Sequence, residues 1–171
     1  MRFNEAIFNR RSIRKYVDKP VEKEKMEKLL RAAMQAPSAG NQQPWEFIIV
    51  EDKEMLKKLS EASPYSKMVA NSPVTVVLLS RKEGVKFPPC IPQDMGAAAE
   101  NLLLEAVQLG LGAVWLGIAP VQERMNYIKD LFSLPESIEP FALIPVGYPD
   151  GQKNEFVDRF DATRIHYENW K

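Results

Sequence analysis

One long apolar stripe constrains this chain more than any other feature of its sequence. Between residues 95 and 109 the apolar side chains recur every three or four positions, which is the spacing of one face of an α-helix. The pattern predicts a long helix with one buried face, and the glycines at 110 and 112 predict its end. A second layer of structure must cover that face. The stripe consists of Met95, Ala98, Ala99, Leu102, Leu103, Ala106 and Leu109.

The rest of the sequence predicts four shorter helices and four strands. Apolar periodicity predicts helices from residue 3 to about 10, around 26–33, at 54–61 and at 121–131. Continuous apolar and β-branched runs predict strands at 47–50, 74–79, 113–118 and 141–146. Pro37 ends the second helix, because proline disfavours helical geometry at the residue before it. Since helices and strands do not alternate regularly, we expect the α+β class and one domain spanning residues 1–171.

Composition narrows the classes of function. Positive and negative residues balance, at 23 each, so the sequence lacks the excess of positive charge that is typical of proteins that bind nucleic acid or a membrane surface. No apolar run is long enough to span a bilayer, and the charged start lacks the apolar core of a signal peptide. Cys90 is the only cysteine, which excludes intrachain disulfides and a multi-cysteine metal site within the chain. We therefore expect a cytoplasmic protein with no metal site.

The segment 10–14 places three guanidinium groups and one hydroxyl within five residues. Guanidinium groups present planar, fixed sets of donors that suit phosphate oxygens. The segment therefore predicts a phosphate site formed by Arg10, Arg11, Ser12 and Arg14. The alternative is a solvated basic turn after the first helix, since exposed charges usually contribute little.

The loop before the first strand, residues 37–44, combines small residues with three successive amides, Asn41, Gln42 and Gln43. Small residues let a ligand approach the backbone closely, and an amide both donates and accepts hydrogen bonds. We therefore expect this loop to contact a flat ligand with a polar edge. An ordinary helix-to-strand connection has a similar composition, and that alternative stays open.

The glycines of residues 110–117 do not form a dinucleotide-binding fingerprint. Trp115 stands where the third glycine is required, and the segment leads from a helix into a strand, the reverse of the required order. Gly117 differs from the two glycines before it because it lies inside the predicted strand. Glycine at such a position usually marks a bulge or the close approach of a ligand.

Residues 149–171, which we call the C-terminal arm, are polar and lack helical periodicity. The arm nevertheless carries five large apolar side chains: Phe156, Phe160, Ile165, Tyr167 and Trp170. A large aromatic group can bury about 150–250 Å². We therefore expect the arm to cover a surface of this chain or of a second copy. His166, the only histidine, lies among these aromatic residues and is interpreted as structural rather than catalytic.

In order, spacing and residue type, four parts of the chain resemble the nitroreductase family of FMN-dependent flavoproteins: residues 10–14, 37–45, 94–117 and the tail pattern Arg159-x6-His166-Tyr167-x2-Trp170. The resemblance covers nearly the whole chain. It implies a mixed or antiparallel central sheet flanked by helices, with the arm reaching the partner subunit of a homodimer. It implies no catalytic side chain, because the cofactor carries the chemistry. The FMN-binding residues that it implies are Arg10, Arg11, Ser12, Arg14, Pro37, Ser38, Ala39, Gly40, Asn41, Gln43, Trp115, Leu116, Gly117 and Arg159.

The resemblance also implies different roles within that set. Arg10, Arg14 and Arg159 would hold the FMN phosphate, with Arg164 as a rival to Arg159. The loop 37–43 would contact FMN in part from the neighbouring subunit. A backbone N–H of Leu116 or Gly117 would face the reactive flavin nitrogen N5, and residues 147 and 148 would lie near the flavin.

The activity implied by the resemblance is hydride transfer from NADH or NADPH, through flavin N5, to nitroaromatics, quinones or similar flat acceptors, by a ping-pong mechanism. Two alternatives stay open. The same flavin fold could serve reductive dehalogenation, flavin fragmentation or enoyl-type reduction, or the protein could bind flavin or a nucleotide without turnover. Residues 80–92 form a short loop where larger relatives carry a helical insertion over the substrate, so we expect a more open active site. We expect no nucleic-acid or membrane partner.

Overall fold

The computed structural model describes residues 3–170, and the five helices predicted from the sequence are found in this range. They are α1 (Phe3–Asn9), α2 (Lys23–Met34), α3 (Lys53–Leu59), α4 (Ile91–Gln108) and α5 (Gln122–Phe132). The helix α4 begins four residues before the apolar stripe, because Pro92 is tolerated in a first turn, where its missing N–H has no intrahelical partner to lose. None of the described helices is long and apolar enough to cross a membrane.

The strands of the described chain form one antiparallel sheet, which confirms the predicted α+β fold. They are β1 (Trp45–Val50), β2 (Val74–Arg81), β3 (Gly112–Ala113), β4 (Leu116–Gly117) and β5 (Ile138–Gly147). The order in the sheet is β1-β2-β5-β3, and β4 also pairs with β5. All the pairs are antiparallel. The strand β5 therefore lies inside the sheet, between β2 on one side and β3 with β4 on the other.

The strand predicted at 113–118 is interrupted rather than continuous. The short strands β3 and β4 pair with β5 in one continuous register. Continuing this register across the gap places Val114 opposite Pro145. Proline has no N–H to donate, so a hydrogen bond of the ladder is missing at this point. A proline in the neighbouring strand thus explains why the prediction of one strand is wrong.

The N-terminal segment joins the sheet beside this gap. Ser12 forms a parallel bridge with Ala113, and the N–H of Ile13 donates to the carbonyl oxygen of Ala113 at 3.0 Å. The hydroxyl of Tyr16 donates to the carbonyl oxygen of Ile13 at 2.6 Å, and the carbonyl oxygen of Pro145 lies 3.2 Å from the same hydroxyl. Burial raises the pKa of Tyr16, so this hydroxyl remains a donor. The predicted phosphate segment therefore lies next to β3.

Helices cover both faces of the sheet. On one face α2 and α4 pack against β2 and β5, and the predicted stripe of α4 is buried there apart from a partly exposed Leu109. On the other face α3 and α5 pack against the sheet through Leu56, Leu59 and Ile128. The strand β2 is buried on both faces, since its successive side chains point to opposite sides. The sheet is thus held between two hydrophobic cores.

The two glycines that were predicted to end α4 have different roles. Gly110 follows the helix with a left-handed φ of 73°, as a helix-ending glycine does. Gly112 instead begins β3, so its predicted role is wrong. A Cβ at Gly112 would lie 2.6 Å from the Cβ of Ile13. The close approach of the N-terminal segment, rather than the end of the helix, requires glycine at 112.

The C-terminal arm is extended, as its lack of periodicity predicted, and contains one short helical turn at Ala162–Arg164. The side chains of Phe160, Tyr167 and Trp170 are 77%, 83% and 87% exposed. The described part of this chain therefore does not provide the surface that these aromatic groups were expected to cover. Lys171, the last residue of the predicted arm, lies outside the described residues.

Candidate active site

A cavity of about 510 Å³ opens beside β4 and the beginning of α5. Its volume is within the range of small-molecule binding sites. It brings together Arg14 with Trp115, Leu116 and Gly117, which come from two distant segments that were both predicted to bind the cofactor. We call it the central cavity. Its lining residues are Arg14, Ser63, Pro64, Tyr65, Lys67, Met68, Trp115, Leu116, Gly117 and Arg124.

The central cavity is positively charged. Arg14, Lys67 and Arg124 line it, and no lining residue is acidic. Lys67 is paired with Glu61, with an N–O distance of 2.7 Å. The two guanidinium groups are hydrogen-bonded only to carbonyl oxygens of the described chain: Arg14 to one in its own segment at 3.4 Å, and Arg124 to that of Gly117 at 2.9 Å. The cavity therefore attracts anions and electron-rich ring edges.

Gly117 leaves an open surface in the cavity wall. A Cβ at this position would meet only the carbonyl oxygen of Ala119 within 4 Å, at a distance of 3.8 Å. The described chain therefore gives no steric reason for glycine at this position, and the space in front of the backbone is free. Trp115 flanks it, with its ring 5.5 Å from that of Phe141, measured between centroids. A flat ligand can approach the backbone here without displacing a side chain.

Six of the ten lining residues were not predicted from the sequence, among them the aromatic Tyr65 and the cations Lys67 and Arg124. Tyr65 and Lys67 lie in the connection between α3 and β2, and Arg124 lies in the first part of α5. The guanidinium carbon of Arg124 is 5.7 Å from the centre of the Tyr65 ring. No periodicity or spacing distinguishes these residues from ordinary exposed ones, so only the fold reveals their place in the cavity.

A smaller groove of about 280 Å³ runs between the C-terminal arm and the end of α1. It brings together Arg10, Arg11 and Arg159, but not Arg14. The predicted phosphate residues are thus divided between the groove and the central cavity, since an extended run of four residues spans about 13 Å. Ser12 lines neither of them. The Nε of Arg10 lies 3.3 Å from a carboxylate oxygen of Glu100.

Arg11 ties the C-terminal arm to the N-terminal segment. Its Nε donates to the carbonyl oxygen of Glu155 at 2.6 Å, and its Nη2 donates to that of Phe8 at 2.7 Å. Its backbone N–H donates to Oδ1 of Asn154 at 3.0 Å. Since carbonyl oxygens already accept from this guanidinium, a phosphate role for Arg11 stays a prediction that requires these bonds to exchange.

The loop 37–43 does not line the central cavity or the groove of the same chain. This holds for Pro37, Ser38, Ala39, Gly40, Asn41 and Gln43. Its backbone is unusual, because Gly40, Asn41 and Gln43 have left-handed φ values of 55°, 54° and 46°. Residues other than glycine rarely adopt this conformation, and they keep it only where their surroundings impose it.

Asp94 and Gln42 impose the conformation of this loop. Oδ1 of Asp94 accepts from the N–H of Ala39 at 2.9 Å, and Oδ2 accepts from Nε2 of Gln42 at 2.6 Å. The Gln42 amide also pairs with the backbone of Phe87, accepting its N–H at 2.9 Å and donating to its carbonyl oxygen at 3.1 Å. The side chains of Asp94 and Gln42 are buried. The expectation that Gln42 faces a ligand is therefore wrong, since its amide is used inside the protein.

The remaining candidates lie outside the central cavity. His166 contacts Trp170, with ring centroids 4.1 Å apart, and Arg164 is paired with Asp161 at 3.1 Å. The hydroxyl of Tyr148 donates to the carboxylate of Glu22 at 2.6 Å. A Cβ at the neighbouring position, 147, would lie 2.8 Å from a proline side chain. These contacts give each residue a place in the structure that does not involve the cavity.

Comparison with known proteins tests the resemblance to the nitroreductase family. The model of the nitroreductase family matches residues 7–64 and 63–148. A protein of Archaeoglobus fulgidus, provisionally named NADH dehydrogenase/NAD(P)H nitroreductase, is 47% identical over 96% of each chain. The crystal structure of a provisionally named NADH oxidase from Clostridium acetobutylicum is 57% identical, with a TM-score of 0.95, over 96% of this chain and 99% of that one.

A provisionally named nitroreductase from Desulfovibrio desulfuricans, crystallised in complex with FMN, is 31% identical, with a TM-score of 0.85, over 100% of this chain and 99% of that one. The matches in sequence and in fold thus extend over nearly the whole chain. They confirm the resemblance drawn from the arginine segment, the amide loop and the tail, and they make the protein an oxidoreductase. Because sequence and structure agree over this length, the chain belongs to the nitroreductase family.

Proposed function

We propose that this protein is an FMN-dependent oxidoreductase that transfers electrons from NADH or NADPH to nitroaromatics, quinones or similar flat acceptors. The observation that carries the proposal is the cationic central cavity, where Arg14 meets Trp115, Leu116 and Gly117. The relative from Desulfovibrio desulfuricans binds FMN, and the name of the Archaeoglobus fulgidus relative includes a nicotinamide donor.

The residues present fit FMN. The open surface in front of Gly117 accepts a flat ring, and Arg14 offers donors to the polar edge of such a ring. Arg10, Arg11 and Arg159 outnumber the carboxylates Glu100 and Asp158 in the lining of the groove, which would take a phosphate group if Arg10 exchanged its contact with Glu100 for phosphate oxygens. Arg10 and Arg14 thus stand at the two ends of the segment 10–14, one in the groove and one in the central cavity, as the phosphate and the ring stand at the two ends of an elongated cofactor.

When bound, FMN would supply the two-electron chemistry between donor and acceptor. The residues of this chain would bind and orient the cofactor and the two substrates. The backbone at Leu116 and Gly117 would present an N–H to the reacting edge, and Arg14 would stabilise negative charge. The lining of the cavity includes no Asp, Glu, His or Cys, and no group of such residues among those described could hold a metal ion. Positioning should therefore dominate the rate.

One cavity would serve the donor and the acceptor in turn. The structure offers a single open surface at Gly117, so both molecules would have to use the same place. We therefore expect a ping-pong mechanism, in which the oxidised nicotinamide leaves before the acceptor binds.

We further propose that the working unit is a homodimer whose two copies complete each other's cavities. The loop 37–43 is held in a strained conformation by buried side chains, yet it does not line the cavity of its own chain. The aromatic groups of the C-terminal arm are exposed on the described chain. A second copy would supply a cavity for the loop and a surface for the arm.

The purified protein tests the proposal directly. It should be yellow and release FMN on denaturation, about one molecule per chain, and it should consume NADH or NADPH steadily with a quinone. Double-reciprocal plots should give parallel lines. Bound FMN without turnover would instead support a binding module, and product analysis with halogenated and enoyl substrates would detect the other reactions of the same fold. Protein that neither contains nor takes up FMN would contradict the proposal.

We also propose that the protein is cytoplasmic and forms one domain. Its single cysteine suits a reducing compartment, where proteins do not depend on disulfides. Cell fractionation tests the location, and limited proteolysis tests the single domain, since cleavage into two stable halves would contradict it.

A further inference from the structure

We propose that Arg124 recognises an anion, so that the central cavity prefers a second substrate carrying a carboxylate or phosphate group. This inference rests on the proposed function and concerns the substrate class of the same cavity. It adds a residue that was not among the predicted flavin contacts.

Arg124 is fixed beside the open surface of the cavity. It lies in α5, seven residues after Gly117, and its Nη1 donates to the carbonyl oxygen of Gly117 at 2.9 Å. A Cβ added at Gly117 would have only the carbonyl oxygen of Ala119 within 4 Å, so the space in front of Gly117 is open. The guanidinium group is therefore held at the border of the space that a flat ligand would occupy.

Most of the donors of Arg124 are free for a ligand. A guanidinium group carries five N–H donors, and the described residues provide one acceptor, the Gly117 carbonyl oxygen. Arg124 forms no ion pair within the described residues, whereas Lys67 in the same cavity is paired with Glu61. The nearby ring of Tyr65 orients the cation without neutralising it. A partly used, unpaired guanidinium suits two-point binding of a carboxylate or phosphate.

The predicted cofactor contacts already include other arginines. Arg14 already lies beside the predicted ring contacts, and Arg10 and Arg159 line the separate groove. Arg124 comes from another element of the fold and enters the cavity from α5. Apart from the cofactor and the loop 37–43 of the proposed second copy, the molecule that can reach it is the substrate that enters after the cofactor. An acceptor with a carboxylate or a nicotinamide donor with an additional phosphate would each provide the anion.

The acceptor arm of the experiment compares 4-nitrobenzoate with 4-nitrobenzamide, which share a ring and a nitro group but differ in charge. Arg124→Gln should lower kcat/KM for the benzoate about tenfold more than for the benzamide, the loss expected for a charge-assisted hydrogen bond. Arg124→Lys should retain part of the preference. The matched control is Arg31→Gln, which removes the same charge from the exposed face of α2, where Arg31 pairs with Glu27.

The donor arm compares NADPH with NADH. If the anion is the additional phosphate that distinguishes NADPH from NADH, Arg124→Gln should raise KM for NADPH but not for NADH. Binding of benzoate and benzamide is also measured by calorimetry on the protein as purified, which needs no turnover. The proposal is overturned if Arg124→Gln discriminates in neither arm, that is, if its effect is the same for 4-nitrobenzoate and 4-nitrobenzamide and also the same for NADPH and NADH. Absence of FMN or of turnover would contradict the proposed function instead, and calorimetry would still test Arg124.

Discussion

The ring of Phe87 occupies the space that a side chain at Gly40 would need. Cε2 of Phe87 lies 2.6 Å from the position of a Cβ at residue 40. The backbone of Phe87 is held in turn by the side-chain amide of Gln42. Gln42 therefore fixes the backbone of Phe87, and the Phe87 ring leaves no room for a side chain at residue 40. The end of the short loop before α4 thus supports the strained turn at residues 38–43.

Gly40→Ala should destabilise the protein more than Gly84→Ala does. Both glycines have left-handed φ values, 55° and 69°, so both variants carry a backbone strain of about 1–2 kcal/mol. Only the alanine at 40 would also collide with the ring of Phe87, since nothing lies within 4 Å of a Cβ at 84. We expect an additional loss of about 1–3 kcal/mol, measured by urea unfolding. Phe87→Ala in the Gly40→Ala background should recover this additional part, and equal losses for the two single variants would refute the collision.

Arg14→Ala should weaken FMN binding at least tenfold and leave the fold intact. A hydrogen bond to a charged group contributes about 1.5–3 kcal/mol, and Arg14 makes only one long bond, at 3.4 Å, within its own segment. Flavin fluorescence titration measures the affinity, and thermal unfolding of the apoprotein checks the fold. Arg31→Ala, on the exposed face of α2, is the control for the loss of a positive charge. Unchanged FMN affinity would remove Arg14 from the site.

Deletion of residues 155–171 should abolish dimerisation and flavin binding together. The truncation keeps Asn154, whose Nδ2 donates to the carbonyl oxygen of Leu111 at 3.0 Å, so the root of the C-terminal arm stays attached. It removes Phe160, Tyr167 and Trp170, which are exposed on the single chain. Light scattering measures the mass, and absorbance measures bound flavin. An intact protein that is a monomer with bound FMN would show that the dimer proposal is wrong.

The stability of the protein should decrease between pH 4.5 and pH 2 in a way that depends on Glu22. A hydrogen bond from Tyr148, its own backbone N–H and the nearby Lys19 and Lys25 lower the pKa of Glu22 from 4.5 to about 2. A carboxyl group with a lowered pKa contributes stability above its unfolded value and loses it as the pH falls through its folded value. Glu22→Gln should therefore flatten the profile in this range.

Urea unfolding midpoints measured between pH 2 and pH 6 test this pH dependence. Glu24→Gln, an exposed change in the first turn of α2, two residues after Glu22, is the control and should leave the slope as in the unmodified protein. If the two variants give the same profile, the bond from Tyr148 to Glu22 does not hold in solution.

Replacement of His166 or Cys90 should change turnover by only a few-fold. Neither residue lines the central cavity, and His166 contacts Trp170 in the C-terminal arm. His166→Ala and Cys90→Ser are assayed with NADH and a quinone, and the rates are corrected for FMN content. A loss of about a hundredfold at full occupancy, the scale of general acid–base catalysis, would reveal a catalytic group that we have not assigned.

The elements of the fold could be predicted from the sequence because their signals are local. The stripe of α4 repeats over neighbouring turns, and the buried run of β2 needs no partner to be recognised. The interruption after Ala113 could not be predicted, because its cause, Pro145, lies in another strand and acts only through the register of the sheet.

The candidate site also contains residues that the sequence predicts and residues that only the fold reveals. The arginine segment and the amide loop stand out because several unusual residues are adjacent in sequence. The inward position of Gln42 depends on Asp94, 52 residues away, and the place of Arg124 in the cavity depends on the packing of α5. Contacts of this kind leave no pattern within a short window of sequence.

Evolution can change which residues stand between Ala113 and Leu116, but not how many. The strands β3 and β4 keep one register with β5 across the gap, so a single inserted residue would turn β4 over. Leu116, which is buried, would then face solvent, and the glycine after it would enter the core. Beyond Lys82, whose N–H donates to the carbonyl oxygen of Ser137 at 2.8 Å, no paired strand constrains residues 83–86, which can therefore lengthen freely. A library that seeks new substrates should vary the length of that loop and leave the spacing at 113–116 unchanged.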